Sequence, residues 1–203
     1  TTTGALRDDA HLLESKIWEQ LPEDTEGRAV MYYNCCGPTE NERPTRDSVI
    51  RLLWYMVHKT MIEQKDPHKG FVIIVDARSC CLYTFDRKLV RRMTDSCTTI
   101  LPVTIKALHV CCSPHRSVLE MICPMFKYMV GRHLRNRMVI HQANSKQDIV
   151  DDLEEYGISA DGLPLALGGR LGLPLRREST SLCGKPDCRK DCCCNSNSSQ
   201  SIR

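Results

Sequence analysis

The sequence predicts an α/β domain whose mainly parallel β-sheet, with a mixed sheet allowed, is covered by helices. Two observations carry this. From residue 28 to 156 short apolar runs alternate with amphipathic stretches of helical period, and runs such as 71–75 are continuously apolar instead of alternating. Strands covered on both faces read in that way, and parallel strands need crossovers, which here are the helical stretches and should be right-handed.

The elements follow in order. Leu12, Leu13, Ile17 and Leu21 recur at helical spacing before Pro22, so residues 9–20 read as a short amphipathic helix docked on the domain. Arg28, Ala29, Val30, Met31, Tyr32 and Tyr33 are rich in strand formers and are closed by Gly37 and Pro38, giving the first strand. Thr45 can cap a helix to about residue 64, whose apolar stripe, from Val49 and Ile50 to Thr60 and Met61, is too wide for one exposed face. Asp66, Pro67 and Gly70 break the chain before the second strand, 71–75, which ends at Asp76. A helix over about 86–99, a third strand over 104–112, and a helical stretch over 116–133 come next. Pro124 lacks a backbone donor, so that last stretch should kink or split. A fourth strand, 138–141, and a helix over 145–156 complete the alternation.

Composition narrows the function. The chain has 203 residues, 41% hydrophobic, enough for one compact core. Its net charge of +3 lacks the one-sided basic bias of a nucleic-acid-binding domain, and no apolar run is long enough to cross a bilayer. The first residues, Thr1, Thr2 and Thr3, resemble no targeting signal, and the missing Met suggests a piece of a longer chain. Of the 13 cysteines, adjacent pairs such as Cys35 with Cys36, Cys80 with Cys81 and Cys111 with Cys112 lie in or beside apolar segments. Neighbours within a strand do not bridge readily, so these read as small hydrophobes in a reduced, cytoplasmic setting. From about residue 171 the periodicity stops, and residues 171–203 read as a flexible, Cys-rich tail. Cys183, Cys188, Cys192, Cys193 and Cys194, near Lys185, Arg189 and Lys190, leave acylation and zinc binding as alternatives to simple disorder.

Four segments occur in the order of the signposts of the CRAL-TRIO, or Sec14-like, family. They are Gly27, Arg28, Ala29 and Val30; Gly70 with the run to Asp76; Leu101 and Pro102 leading through 105–110 to Pro114; and Leu163 and Pro164 with Gly168 and Gly169. The chain therefore resembles a CRAL-TRIO domain over residues 22–170, with residues 1–21 a helix or remnant of the family's helical lobe. The resemblance implies a lipid-binding or lipid-transfer protein without enzymatic activity or cofactor. Its lipid, a phospholipid, phosphoinositide or other small hydrophobic molecule, would sit in an internal pocket between the sheet and a mobile gate helix. Contact with a membrane surface would be transient. Each buried methylene contributes about 0.8 kcal/mol, so a long chain can be held without catalytic groups.

On that reading Val72, Ile74, Leu108 and Val110 supply the floor, and Leu119, Ile122, Phe126 and Met129 the gate, within residues 117–130. Without the resemblance the latter four fit equally the core face of an amphipathic helix. Phe126 and Lys127 match the family's gate, but Tyr128 stands where a proline is common, and Pro124 comes earlier. Members that bind phosphoinositide head groups pair an acidic with a basic residue; the acidic position is Val103 here, while the basic one is kept as Arg137. Arg137 can meet a phosphate or carboxylate through two parallel donors, or be one solvated member of a basic run with Arg132, His133 and Arg135.

Competing sites fit less well. Cys111, Cys112 and Arg116 suggest a cysteine-dependent phosphatase, but the arginine is five and four residues after the cysteines instead of six, and Pro114 removes an amide from the loop. Asp76 has no paired acid or base and reads as a turn cap. The histidines show no metal-ligand spacing. A protein-interaction module that keeps the fold but has filled its pocket is the second reading.

Overall fold

The computed structural model describes residues 11–35, 44–64, 66–80, 85–114, 118–142 and 144–172, without the side chains at 11, 67, 118 and 119. The tail from 173, the partner cysteines Cys36 and Cys81, and His115, Arg116 and Ser117 lie outside the described residues.

Five strands form one sheet in chain order: β1 (Trp18–Leu21), β2 (Ala29–Asn34), β3 (Phe71–Ala77), β4 (Ile105–Cys112) and β5 (Met138–Gln142). β2 to β5 are parallel neighbours, while β1 runs antiparallel on the edge beside β2. The sheet is thus mixed only at that edge. Residues 9–20 differ from the expected helix: α1 is only His11–Glu14, and Trp18–Leu21 is strand. Lys16 has a positive φ of 53°, which ends the helix. Pairing of the edge and the stacking of Trp18 on Tyr33 at 4.5 Å then override the helical spacing of the leucines.

When parallel strands are added side by side in one direction, crossovers of a single hand put every connecting helix on the same face. That is observed. α2 (Arg46–Glu63), α3 (Arg87–Asp95), α4 (Cys123–Met129) and α5 (Gly131–Arg135) share one apolar cluster with Met31, Tyr33, Ile73, Val75, Leu108 and Val110. The opposite face belongs to α6 (Lys146–Glu155) and the turns after it, which bury Val30, Tyr32, Val72, Ile74 and Cys111 against Ile149, Leu153, Leu163 and Leu167.

Local chemistry sets the boundaries. Thr45 accepts from the Ser48 amide at the start of α2, Asp86 from the Lys88 and Leu89 amides at the start of α3, and Ser145 and Asp148 form a reciprocal capping box on α6. Gly70, at φ 80°, passes so close to β4 that a Cβ would lie 2.5 Å from the Thr104 carbonyl. Gly169 is confined in the same way, its Cβ position 2.2 Å from the Leu163 carbonyl. Both signpost glycines are therefore steric requirements. The stretch around Pro124 does split: a π-helical turn, Val118–Ile122, leads into α4 with the proline in its first turn, and Gly131 at φ 70° starts α5.

Candidate functional site

Between the sheet and the helices of the first face lies an apolar cavity of about 90 Å³. Its floor comes from Tyr33 on β2, Ile73, Val75 and Ala77 on β3, and Ile105, Leu108, Val110 and Cys112 on β4, with Ile140 of β5 at one side. A β-bulge pairs Phe71 with Ile105 and Val72 with Ala107, so Lys106 is passed over and Ile105 shares a face with Leu108. Leu89, Val90 and Met93 of α3, followed by Cys97, make one wall. Ile122, Cys123, Phe126, Val130 and Leu134 make another.

The α3 wall is not built like the floor, whereas Ile122, Cys123, Val130 and Leu134 of the other wall are buried. No residue of α3 is buried, although the helix presents a row of apolar side chains to the cavity. It is fastened to α2 by ion pairs of Arg46 with Asp86 at 2.6 Å and Arg92 with Asp47 at 2.5 Å. Exposed pairs of this kind contribute about 0–1 kcal/mol each, so the fastening is light. Partial burial pushes the Asp86 carboxyl up, but the Leu89 amide and the Arg46 guanidinium outweigh it and hold it below the usual carboxylate value. Apart from the Trp18 indole, the Tyr33 phenol and the cysteine thiols, Asp86 and Thr94 are the polar groups in a lining that is otherwise apolar.

Of the residues picked out in the sequence, Leu108, Val110, Ile122 and Phe126 line the cavity. Val72 and Ile74 do not: both are 0% exposed and lie on the α6 face of the sheet, so their neighbours Ile73 and Val75 supply the floor instead. The physical reason is the two-residue period of a strand, which sends adjacent side chains to opposite faces. Met129 is half-buried and outside the lining, and the side chain of Leu119 lies outside the described residues. Arg137 is exposed, and its guanidinium donates to the Ile105 carbonyl at 2.5 Å, which ties the start of β5 to the start of β4. Sequence reasoning passed over α3 as a wall; Leu89, Val90, Met93 and Cys97, at helical spacing on an otherwise charged helix, were the available signal.

On the opposite face polar side chains are satisfied among themselves. Asp76 accepts from the Tyr32 hydroxyl at 3.0 Å and from the Arg78 amide and guanidinium, and Arg78 continues to the Ala166 carbonyl at 2.6 Å. Burial and the Asp76 charge push the Tyr32 phenol far above its ordinary value. His109 and His141 approach to 2.9 Å beside Asp152 and the Tyr156 ring. Cys111 sits fully buried in the same layer, and burial pushes its thiol up to about 12, a poor starting point for a nucleophile. Among the described residues no three His, Cys, Asp or Glu side chains gather to hold a metal.

Comparison with known proteins agrees with this architecture. No curated protein matches the sequence closely enough to count. Among solved structures, 33 chains match. One is the crystal structure of Sfh5, with a TM-score of 0.52 and 11% sequence identity over 66% of this chain and 51% of that one. The match spans about half of Sfh5 and shows a shared fold. The sequence model of the divergent CRAL/TRIO domain matches residues 27–171, which include the whole parallel sheet, both cavity walls and α6. The chain therefore belongs to the divergent CRAL/TRIO family.

Proposed function

We propose that this domain takes one lipid into the cavity between the sheet and the α3 and α4 walls, for transfer or sensing at membranes. CRAL/TRIO domains are in general lipid-binding and transfer domains and not typically enzymes. The observation that carries the reading is the unequal construction of the cavity: a buried apolar floor beneath a helix that buries no residue of its own. An acyl chain supplies the apolar surface such a lining lacks, and a head group would stay near Asp86 and Thr94. Ile100 is 57%, Met121 51% and Tyr128 80% exposed on segments that adjoin the two walls. These side chains, with Lys127 beside them, suit a brief contact with a membrane surface, and the cytoplasm is the proposed compartment.

The second reading, an interaction module with a nearly filled pocket, is favoured by the cavity's size. Ligand pockets commonly hold about 300–1,000 Å³, several times the volume here. A lipid therefore requires α3 and α4 to move outward. Incubation with vesicles of phosphatidylcholine and phosphatidylinositol followed by native mass spectrometry separates the readings. A one-to-one lipid complex is expected, whereas a protein that stays empty at every vesicle concentration contradicts lipid binding. The proposed domain boundaries, 22–170 with a tail over 171–203, are checked by the same measurement on the trimmed chain.

A further inference from the structure

Five thiols, those of Cys35, Cys80, Cys97, Cys112 and Cys123, line the cavity. Two of them stand apart by geometry. Cys112 is the last residue of β4 and Cys123 the first of α4, and their sulfurs lie 3.5 Å apart, both buried against the lining. A disulfide needs about 2.05 Å between sulfurs, so the two have to close by roughly 1.5 Å. The Cys80 thiol lies near enough to both to act on them electrostatically, so it is the alternative partner that a test must separate.

We propose that Cys112 and Cys123 form a redox latch, in which oxidation by a peroxide joins the two sulfurs and fastens the α4 wall to the floor of the cavity. The proposal deepens the lipid-binding reading and, as far as lipid exchange is concerned, rests on it. Cys123 is the attacking sulfur. Its contact with the Cys112 thiol opposes the effect of burial and, with Lys127 one helical turn on, holds it below the ordinary thiol value. The Cys123 thiolate attacks one oxygen of hydrogen peroxide, the O–O bond breaks, and the departing hydroxide takes a proton to leave as water. The sulfur of Cys112 then attacks the resulting sulfenic acid, the S–O bond breaks, and the hydroxide leaves as a second water with the Cys112 proton. Two thiols are oxidised to one disulfide while the peroxide is reduced to two waters.

The consequence follows from where the two residues sit. Cys112 belongs to a strand hydrogen-bonded on both sides, whereas Cys123 opens a seven-residue helix whose Phe126, together with Ile122 just before the helix, lines the cavity. A covalent bond between them forbids the outward movement of α4 that a lipid requires.

The test treats the whole chain with hydrogen peroxide, then maps its cysteine peptides without reduction. A linked Cys112–Cys123 peptide is expected, together with amide exchange over residues 118–130 slowed by about tenfold or more. Exchange of a fluorescent phosphatidylcholine between vesicles should slow to a similar degree, and dithiothreitol should reverse all three effects. Cys112→Ala and Cys123→Ala should each remove the response to peroxide, whatever their basal rates. Absence of the linked peptide, linkage of either residue to Cys80 instead, or a linked peptide with unchanged amide exchange overturns the latch. A reduced protein that takes up no phospholipid counts against the lipid reading alone, because the peptide and the amide exchange need no lipid.

Discussion

The two faces of the sheet are built from alternate residues of the same strands, yet they solve different problems. On the α6 face Val30, Val72 and Ile74 meet Leu153, Leu163 and Leu167 with every one of these side chains 0% exposed. On the other face the odd-numbered neighbours of β3 look into a cavity, under a helix with no buried residue. One face supplies stability through close packing, and the other is left underpacked where a ligand can complete it. This difference in packing is what supports the proposed lipid site on one face.

Truncation should expose the contrast most strongly. Leu153→Ala or Leu163→Ala on the packed face should cost about 2–5 kcal/mol in urea unfolding, because the site cannot collapse. Met93→Ala on α3, half-buried beside existing empty space, should cost about 1 kcal/mol or less. Equal losses on the two faces would break the comparison.

Acid should act on the packed face through its histidines. Burial, reinforced by His141, depresses His109 to about 4, and His141 is itself lowered by burial in spite of Asp152. The groups facing the pair are Asp152 and Tyr156 from the α6 end and the more distant Arg28 and Asp24. The folded form holds these rings neutral, while the unfolded chain takes up protons near 6.5. Stability is therefore full above about pH 6.5 and falls as pH drops toward about 4, by roughly 3 kcal/mol for a shift of this size. His109→Gln should flatten that part of a stability–pH curve.

Smaller effects refine the picture. Asp76→Asn should cost about 1.5–3 kcal/mol, because Arg78 loses its charged partner and its hold on the turn at Ala166 is weakened. Ser145→Ala removes the α6 cap and should cost about 1 kcal/mol, measured by thermal unfolding, with no change in lipid uptake.

Much of this was legible in the residues. The apolar runs and helical stripes give the parallel strands and their crossovers, and Pro124 marks the split that separates the π-helical turn from α4. Three features were hidden for physical reasons. The run from Phe71 to Val75 is apolar at every position, so nothing in it says which alternate residues face the cavity. Asp76, which shares its parity with Val72 and Ile74, was the one mark, because a wholly apolar floor has no place for a carboxylate. The bulge at Lys106 is likewise invisible in the sequence, since it depends on pairing with β3, and it decides that Leu108 and Val110 join Ile105 on the floor. The edge strand at Trp18–Leu21 was lost because its leucines fit a helix locally, and only β2 beside it favours extension.

The adjacent pair Ile73 and Ile74 offers the most direct trial of a lipid cavity on one face only. Ile73→Phe should fill the cavity, abolish the phospholipid complex seen by native mass spectrometry and change stability by about 1 kcal/mol or less. Ile74→Phe should overpack the α6 face, cost about 1–3 kcal/mol and leave lipid uptake in the folded protein intact. Uptake that survives Ile73→Phe, or that is lost only with Ile74→Phe, would contradict the account.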